Sequence, residues 1–151
     1  EIRLSLVGSE MCIRDRLDAF LTNVDRTFRN TNMLIWHKEL WLIDHGASLY
    51  FHYSWVNWQK HAVSPFVQIK DHVLLPEASG LEEANADMRR LLTEEKIREI
   101  VALIPDDWLH WSESPGMPQE IREIYIRFLC ERLAHSETFI KEAQDARKAL
   151  I

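Results

Sequence analysis

The sequence predicts an α+β chain that is mostly α, on three observations. Two short apolar runs, Met33–Trp36 and Leu40–Ile43, flank the polar His37-Lys38-Glu39, which is the pattern of a β-hairpin. Beyond residue 80 apolar side chains recur at helical spacing, with capping and breaking residues between the stripes. With 151 residues, 46% of them hydrophobic, the chain can bury a core of its own as one domain.

Taken in order, residues 1–16 (EIRLSLVGSEMCIRDR) show no periodicity, and their apolar run is too short and interrupted for a signal peptide. The stretch SLVGSEMCIRDR resembles translated sequencing-adapter DNA. On that reading 1–16 is a non-native segment with few contacts to the body, the evolved chain is 17–151, and its gene continues upstream. Leu17–Leu21 reads as the last turns of a helix that enters a polar loop holding Asn23, Asp25, Arg26, Asn30 and Asn32. The hairpin follows and delivers Asp44 and Gly46. Residues 47–58 are rich in aromatics (Tyr50, Phe51, Tyr53, Trp55, Trp58) and read as core or the floor of a groove; His52 and the nearby His61 read as partly buried and hydrogen-bonded, or else as substrate contacts. Pro65–Pro76 is a connector with a buried Val73-Leu74-Leu75. Its Asp71-His72 reads as a structural salt link or as a second polar pair near the loop.

Four helices are expected after it. Leu81, Ala84, Met88 and Leu91 share one face; Thr93 caps the next helix, with Glu94 and Glu95 in its positive first turn. Ile97, Ile100, Val101 and Ile104 form its stripe until Pro105 stops it. After a loop with Trp108, Trp111, Pro115 and Gly116, Pro118 opens a helix striped by Ile121, Ile124, Tyr125, Phe128 and Leu129. Ser136 is the expected cap of the last helix, with Phe139, Ile140, Ala143 and Leu150 inward.

The chemistry concentrates in Asn23–Gly46. An antiparallel hairpin brings Asn30, before its first strand, and Asp44, after its second, to one open end. Two oxygen donors there suit a hard divalent cation such as Mg²⁺, and Asp25 on the same loop is placed to take a proton from a hydroxyl nucleophile. Singly, each of these residues is an ordinary loop or turn former; only the combination points to a site. Asp25-Arg26-x-x-x-Asn30 followed by Asp44-x-Gly46 has the order and spacing of a kinase catalytic loop and metal loop. With Asn23-Val24-Asp25-Arg26 for His-Arg-Asp and Asp44-His45-Gly46 for Asp-Phe-Gly, the run NVDRTFRNTN…LWLIDHGASLYFH resembles the bacterial HipA-like kinases and, more distantly, the phosphoinositide kinases. The resemblance runs from about Leu17 to Ile151.

That resemblance implies the C-terminal lobe of a protein-kinase-like fold: catalytic loop, β-hairpin, then a helical bundle. It implies ATP and Mg²⁺ as cofactors, Asp25 as catalytic base, and Asn30 and Asp44 as ligands of the metal and its nucleotide. Arg26 joins Asp25 as a candidate catalytic residue, pairing with Asp25 or a neighbouring carboxylate or touching the transferred phosphoryl group; Asn23 and Asn32 bond the loop backbone. The phosphate acceptor is an unnamed hydroxyl compound, protein or small molecule. Some relatives of that kind are toxins, which makes an antitoxin or regulator a conceivable partner. A nucleotide cradle is not encoded: Gly8 is the only glycine before Gly46, and no lysine precedes Asp25. The chain by itself is therefore expected to be inactive. The alternative is a non-catalytic helical interaction module or pseudokinase lobe.

The net charge of −6 and the lack of a basic block argue against nucleic acid. No apolar run is long enough to span a bilayer. Two cysteines, Cys12 and Cys130, make neither a metal spacing nor a disulfide framework, which fits a reducing cytoplasm.

Overall fold

Residues 14, 16–110 and 115–150 are described in the computed structural model of the chain. In order they form α1 (16–21), the strands β1 (Met33–Trp36) and β2 (Glu39–Leu42), then α2 (Trp58–Val63), α3 (Leu81–Leu91), α4 (Glu94–Ala102), α5 (Pro118–Ala134) and α6 (Ser136–Lys148). Short 3-10 turns at Tyr50–Tyr53, Val67–Asp71, Leu75–Glu77 and Asp106–Leu109 lie in the connections. The result is mostly helical, with one two-stranded antiparallel sheet.

The apolar stripes close on one another. α5 lies between α2 and α4, and α6 packs on α3 and on the Val67–Asp71 turn. Ile121 and Phe128 of α5, Phe139 and Ile140 of α6, and Ile97 and Val101 of α4 meet Phe51, Ile69 and Leu75 from the connectors in one buried cluster. Phe51 and Phe128 stack with ring centroids 4.3 Å apart. Thr93 caps α4 as expected, its Oγ1 accepting the Lys96 N–H at 3.2 Å. At the start of α5 the Glu120 carboxylate accepts the Met117 N–H at 2.8 Å, and Gly116 leaves it room, because a Cβ there would collide with that carboxylate.

One buried arginine positions the front of the chain. Arg132 of α5 donates to the carbonyls of Ala19 (2.6 Å) and Phe20 (3.2 Å) in α1, and to those of Ala62 (3.2 Å) and Ser64 (2.8 Å) at the end of α2. Helix C-termini leave carbonyls without intrahelical partners and carry partial negative charge, so a guanidinium between two of them satisfies both at once.

Several expectations are corrected. Arg16, assigned above to the segment outside the fold, is buried and donates to Asn85 Oδ1 at 2.9 Å, while Arg14 reaches the Leu40 carbonyl at 2.7 Å. The packed body therefore includes both; the rest of the adapter-like stretch, 1–13 and 15, lies outside the described residues, as does Trp111. β2 begins at Glu39 rather than Leu40. His37 and Lys38 both adopt positive φ (51° and 67°), a two-residue turn that lets Glu39 pair with Trp36. α2 falls in the aromatic stretch, where Trp58 and Ala62 turn inward. Ser136 is the first residue of α6 and not its cap, because a single residue separates it from α5; its hydroxyl is buried without a hydrogen-bond partner. Leu91 and Leu150 are exposed, the one in the last turn of α3 and the other beyond the end of α6.

Candidate functional site

The polar loop is built outward from a carboxylate that the helical body holds. Asp18 lies on α1 with its side chain 0% exposed. Its Oδ1 accepts the Asn23 amide at 2.9 Å, and its Oδ2 accepts Arg26 Nε at 2.5 Å and His72 Nε2 at 2.9 Å. His72 Nδ1 in turn accepts the Leu74 N–H at 3.2 Å, which leaves Nε2 to donate to Asp18. Burial alone pushes the Asp18 carboxyl up, but the hydrogen bonds from His72, Arg26 and Asn23 outweigh it and hold the group below its ordinary value. The loop is pinned to the same place by the antiparallel bridge Thr27–His72 and by the Val73 N–H on the Arg26 carbonyl (3.1 Å).

Arg26 joins the two halves of the site. Buried at 1% exposure, its guanidinium donates to the carbonyl of Asn32, just before β1, and to that of Ile43, just after β2, at 3.3 Å. Of the two roles left open for Arg26, the ion pair with a carboxylate is the one it occupies, and the partner is Asp18.

The loop then presents Asp25. The Asp25 N–H donates to Asn23 Oδ1 (3.2 Å) and its carbonyl accepts Asn32 Nδ2 (3.1 Å), the backbone-bonding roles expected of both asparagines. Asp25 Oδ2 accepts the side-chain amides of Asn30 (2.9 Å) and Asn32 (3.3 Å). Two neutral donors thus orient the carboxylate without neutralising it. Asn30 uses its amide nitrogen in this bond, which leaves its oxygen for another partner.

Asp44 arrives from the far strand. The Ile43 N–H bonds the Asn32 carbonyl at 2.9 Å, which extends the hairpin register by one pair and leaves Asp44 as the next residue out at its open end. The chain bends away there: Asn32 and Asp44 have φ of 44° and 50°, a region in which Asn and Asp are the best tolerated side chains after glycine. Asp44 Oδ1 accepts the Gly46 N–H at 3.3 Å, and a Cβ on Gly46 would press on that same oxygen at 3.3 Å, so glycine permits the approach. Tyr53 donates to the Gly46 carbonyl at 3.0 Å from the other side.

The structure therefore brings Asp25, Asn30 and Asn32 into direct contact and places Asp44 after β2 at the same open end of the hairpin, with no hydrogen bond joining Asp44 to Asp25 or Asn30. An amide oxygen and a carboxylate, both acceptors and both exposed, fit a cation that takes few protein ligands. No group of three His, Cys, Asp or Glu side chains among the described residues is placed to hold a metal by itself. A cleft lined by Thr27, Phe28, Arg29 and Asp71 opens beside the loop. His72 pairs with Asp18 and not with its neighbour Asp71; His52 and His61 are partly buried against Tyr125 and Tyr50 hydroxyls, as expected. Asp18 is the residue the sequence reading passed over. Its available signal was an acid in the apolar run LDAFL, where a charge with no water needs partners. No helix among the described residues is long and apolar enough to cross a membrane. Comparison with family models, with curated proteins and with solved structures returns no match to this chain, so its site is read from its own residues.

Proposed function

We propose that the chain is the catalytic-loop lobe of an ATP-dependent phosphotransferase resembling the HipA-like kinases, which passes the γ-phosphoryl group to a hydroxyl acceptor in the cytoplasm. The observation that carries this reading is the Asp25 carboxylate held by two amides at the same hairpin end as Asp44. Asp25 takes the proton from the acceptor hydroxyl as its oxygen forms a bond to phosphorus and the bond to the nucleotide diphosphate breaks. The Asn30 and Asn32 amides keep that carboxylate facing the acceptor, and the cleft beside Thr27 and Phe28 is its approach. Asn30 and Asp44 would hold Mg²⁺, which when bound supplies positive charge against the phosphate oxygens. On this reading a nucleotide-cradle lobe acts with the chain, whose own residues carry neither a glycine-rich loop nor a lysine ahead of Asp25.

In the protein joined to that lobe, Asp44→Asn is expected to weaken Mg²⁺-nucleotide binding and abolish transfer together. Asp25→Asn should leave nucleotide binding nearly intact while transfer falls by roughly 10²–10⁴-fold, the usual worth of a general base. Nucleotide titration and γ-phosphate transfer measure the two effects; identical behaviour of both variants would refute the division of roles.

A second reading is favoured by one observation. Leu34, Trp36 and Trp41 stand exposed on one face of the hairpin, and an exposed apolar cluster of that kind marks a protein interface. A helical module that binds a regulator through its hairpin would bind no nucleotide at any Mg²⁺ concentration, which the same titration reads.

A further inference from the structure

We infer that Asp18 and Arg26 act as positioning residues for the proposed cation pair, with Asp18 holding the Arg26 guanidinium so that it sets the separation of Asn30 and Asp44. The inference rests on the reading of Asn30 and Asp44 given above, and it concerns residues that touch neither cation nor substrate. Four observations carry it. Arg26 contacts both strands at the open end of the hairpin, the Asn32 carbonyl on entry and the Ile43 carbonyl on exit, the latter one residue before Asp44. It is buried, so its geometry is set by its partners and not by solvent. Its counter-ion is held in turn by Asn23 and His72, and α1, which carries that counter-ion, is clasped by Arg132. The hairpin strands, finally, pack chiefly on each other, and at their site end this guanidinium ties them to α1, while Arg14 ties Leu40 nearer the tip.

A planar guanidinium spreads five donors over a fixed fork that can bridge a carboxylate and two carbonyls together; an ammonium gathers its three on one nitrogen, and a neutral apolar chain has none. Stability and positioning then separate by substitution. Asp18→Asn strands a buried charge and should destabilise the whole chain. In Asp18→Asn/Arg26→Met both charges are gone and thermal stability should return, since exchanging a buried ion pair for well-packed neutral side chains is often neutral. The strut stays lost. In Arg26→Lys the charge remains but the fork does not, a second route to the same loss with Asp18 kept.

The test measures amide hydrogen exchange and Mn²⁺ affinity on the full chain and on these variants. In the double variant and in Arg26→Lys, the Ile43 amide should exchange at least about 10-fold faster than in the parent, while the Trp36 and Glu39 amides at the hairpin tip keep their parent rates; Mn²⁺ should bind about 10-fold more weakly or worse, the usual effect of losing a partner that orients a ligand. A double variant with restored stability and parental exchange at Ile43 overturns the inference, as does parental Mn²⁺ affinity in that variant. A parent chain that binds no Mn²⁺, with Ile43 exchange still accelerated in both variants, refutes the cation site and leaves the strut standing.

Discussion

The hairpin and the helical body obey different rules, although one chain makes both. In α3–α6 each apolar stripe finds another, and Ile121, Phe128 and Phe139 are all fully buried. In the hairpin the apolar residues face both ways: Leu34, Trp36 and Trp41 lie on one side of the register, Ile35 on the other, and Ile35 and Trp36 are 65% and 57% exposed. Cross-strand pairs such as Trp36 edge-on to Trp41 at 5.7 Å give the hairpin its cohesion, yet an isolated two-stranded sheet is marginal in water. The body is stabilised by burial; the hairpin is tied to it by hydrogen bonds, from Arg26 at the site end and from Arg14 to the Leu40 carbonyl. A site built on such a hairpin depends on the tie more than on the strands.

The largest effect should come from the body. Phe128→Ala removes a ring that is 0% exposed and stacked on Phe51, and should lower global stability by about 3–5 kcal/mol. Denaturant unfolding checks it, and a loss below about 1 kcal/mol would mean the core is not organised around α5.

Next comes the tie itself, through pH. The folded-state pKa of Asp18 is below its ordinary 3.8. Its contribution to stability is thus fully present above that ordinary value and is lost as pH falls through the lower folded value, because the unfolded chain takes up the proton first. Acid unfolding followed from about pH 5 to about pH 2 should therefore be less steep in Asp18→Asn, where this group no longer titrates. Equal steepness would show that the carboxylate is not held as described.

The smallest effect is confined to the hairpin. Lys38 has a φ of 67° without being glycine, so Lys38→Gly should relieve strain and stabilise the tip by about 1 kcal/mol. Exchange rates should slow at the tip amides of Trp36 and Glu39 and stay unchanged in α5. Slowing throughout the chain would mean that hairpin and body open as one unit.

The helices were legible because burial drives both the pattern and the packing: Thr93, Pro105 and Pro118 mark real ends, and Ile97, Val101, Ile121 and Phe128 turn inward. The hairpin was legible from its two apolar runs, but not the strand that starts at Glu39, since His37-Lys38 lacks the glycine that usually marks a two-residue turn. Leu150 misled because a stripe read past the end of its helix no longer has a partner face. Within the site, the order Asp25, Asn30, Asp44 could be read from the sequence, as could the backbone-bonding roles of Asn23 and Asn32. The partners Asp18 and His72 could not, because a contact across 54 positions of chain leaves no local pattern. The side chains that face the loop were visible, and those that hold it from behind were not.

The central claim is that Asn30 and Asp44 share one cation beside Asp25. It is tested most directly by adding Mn²⁺ to the isotope-labelled chain and mapping paramagnetic broadening of its amide resonances. The account predicts broadening centred on Asn30 and Asp44, reaching Asp25, reversed by excess Mg²⁺ and abolished by Asp44→Asn. Broadening centred elsewhere, for example on the acids Glu142 and Asp145 of α6, or unchanged in Asp44→Asn, would contradict it.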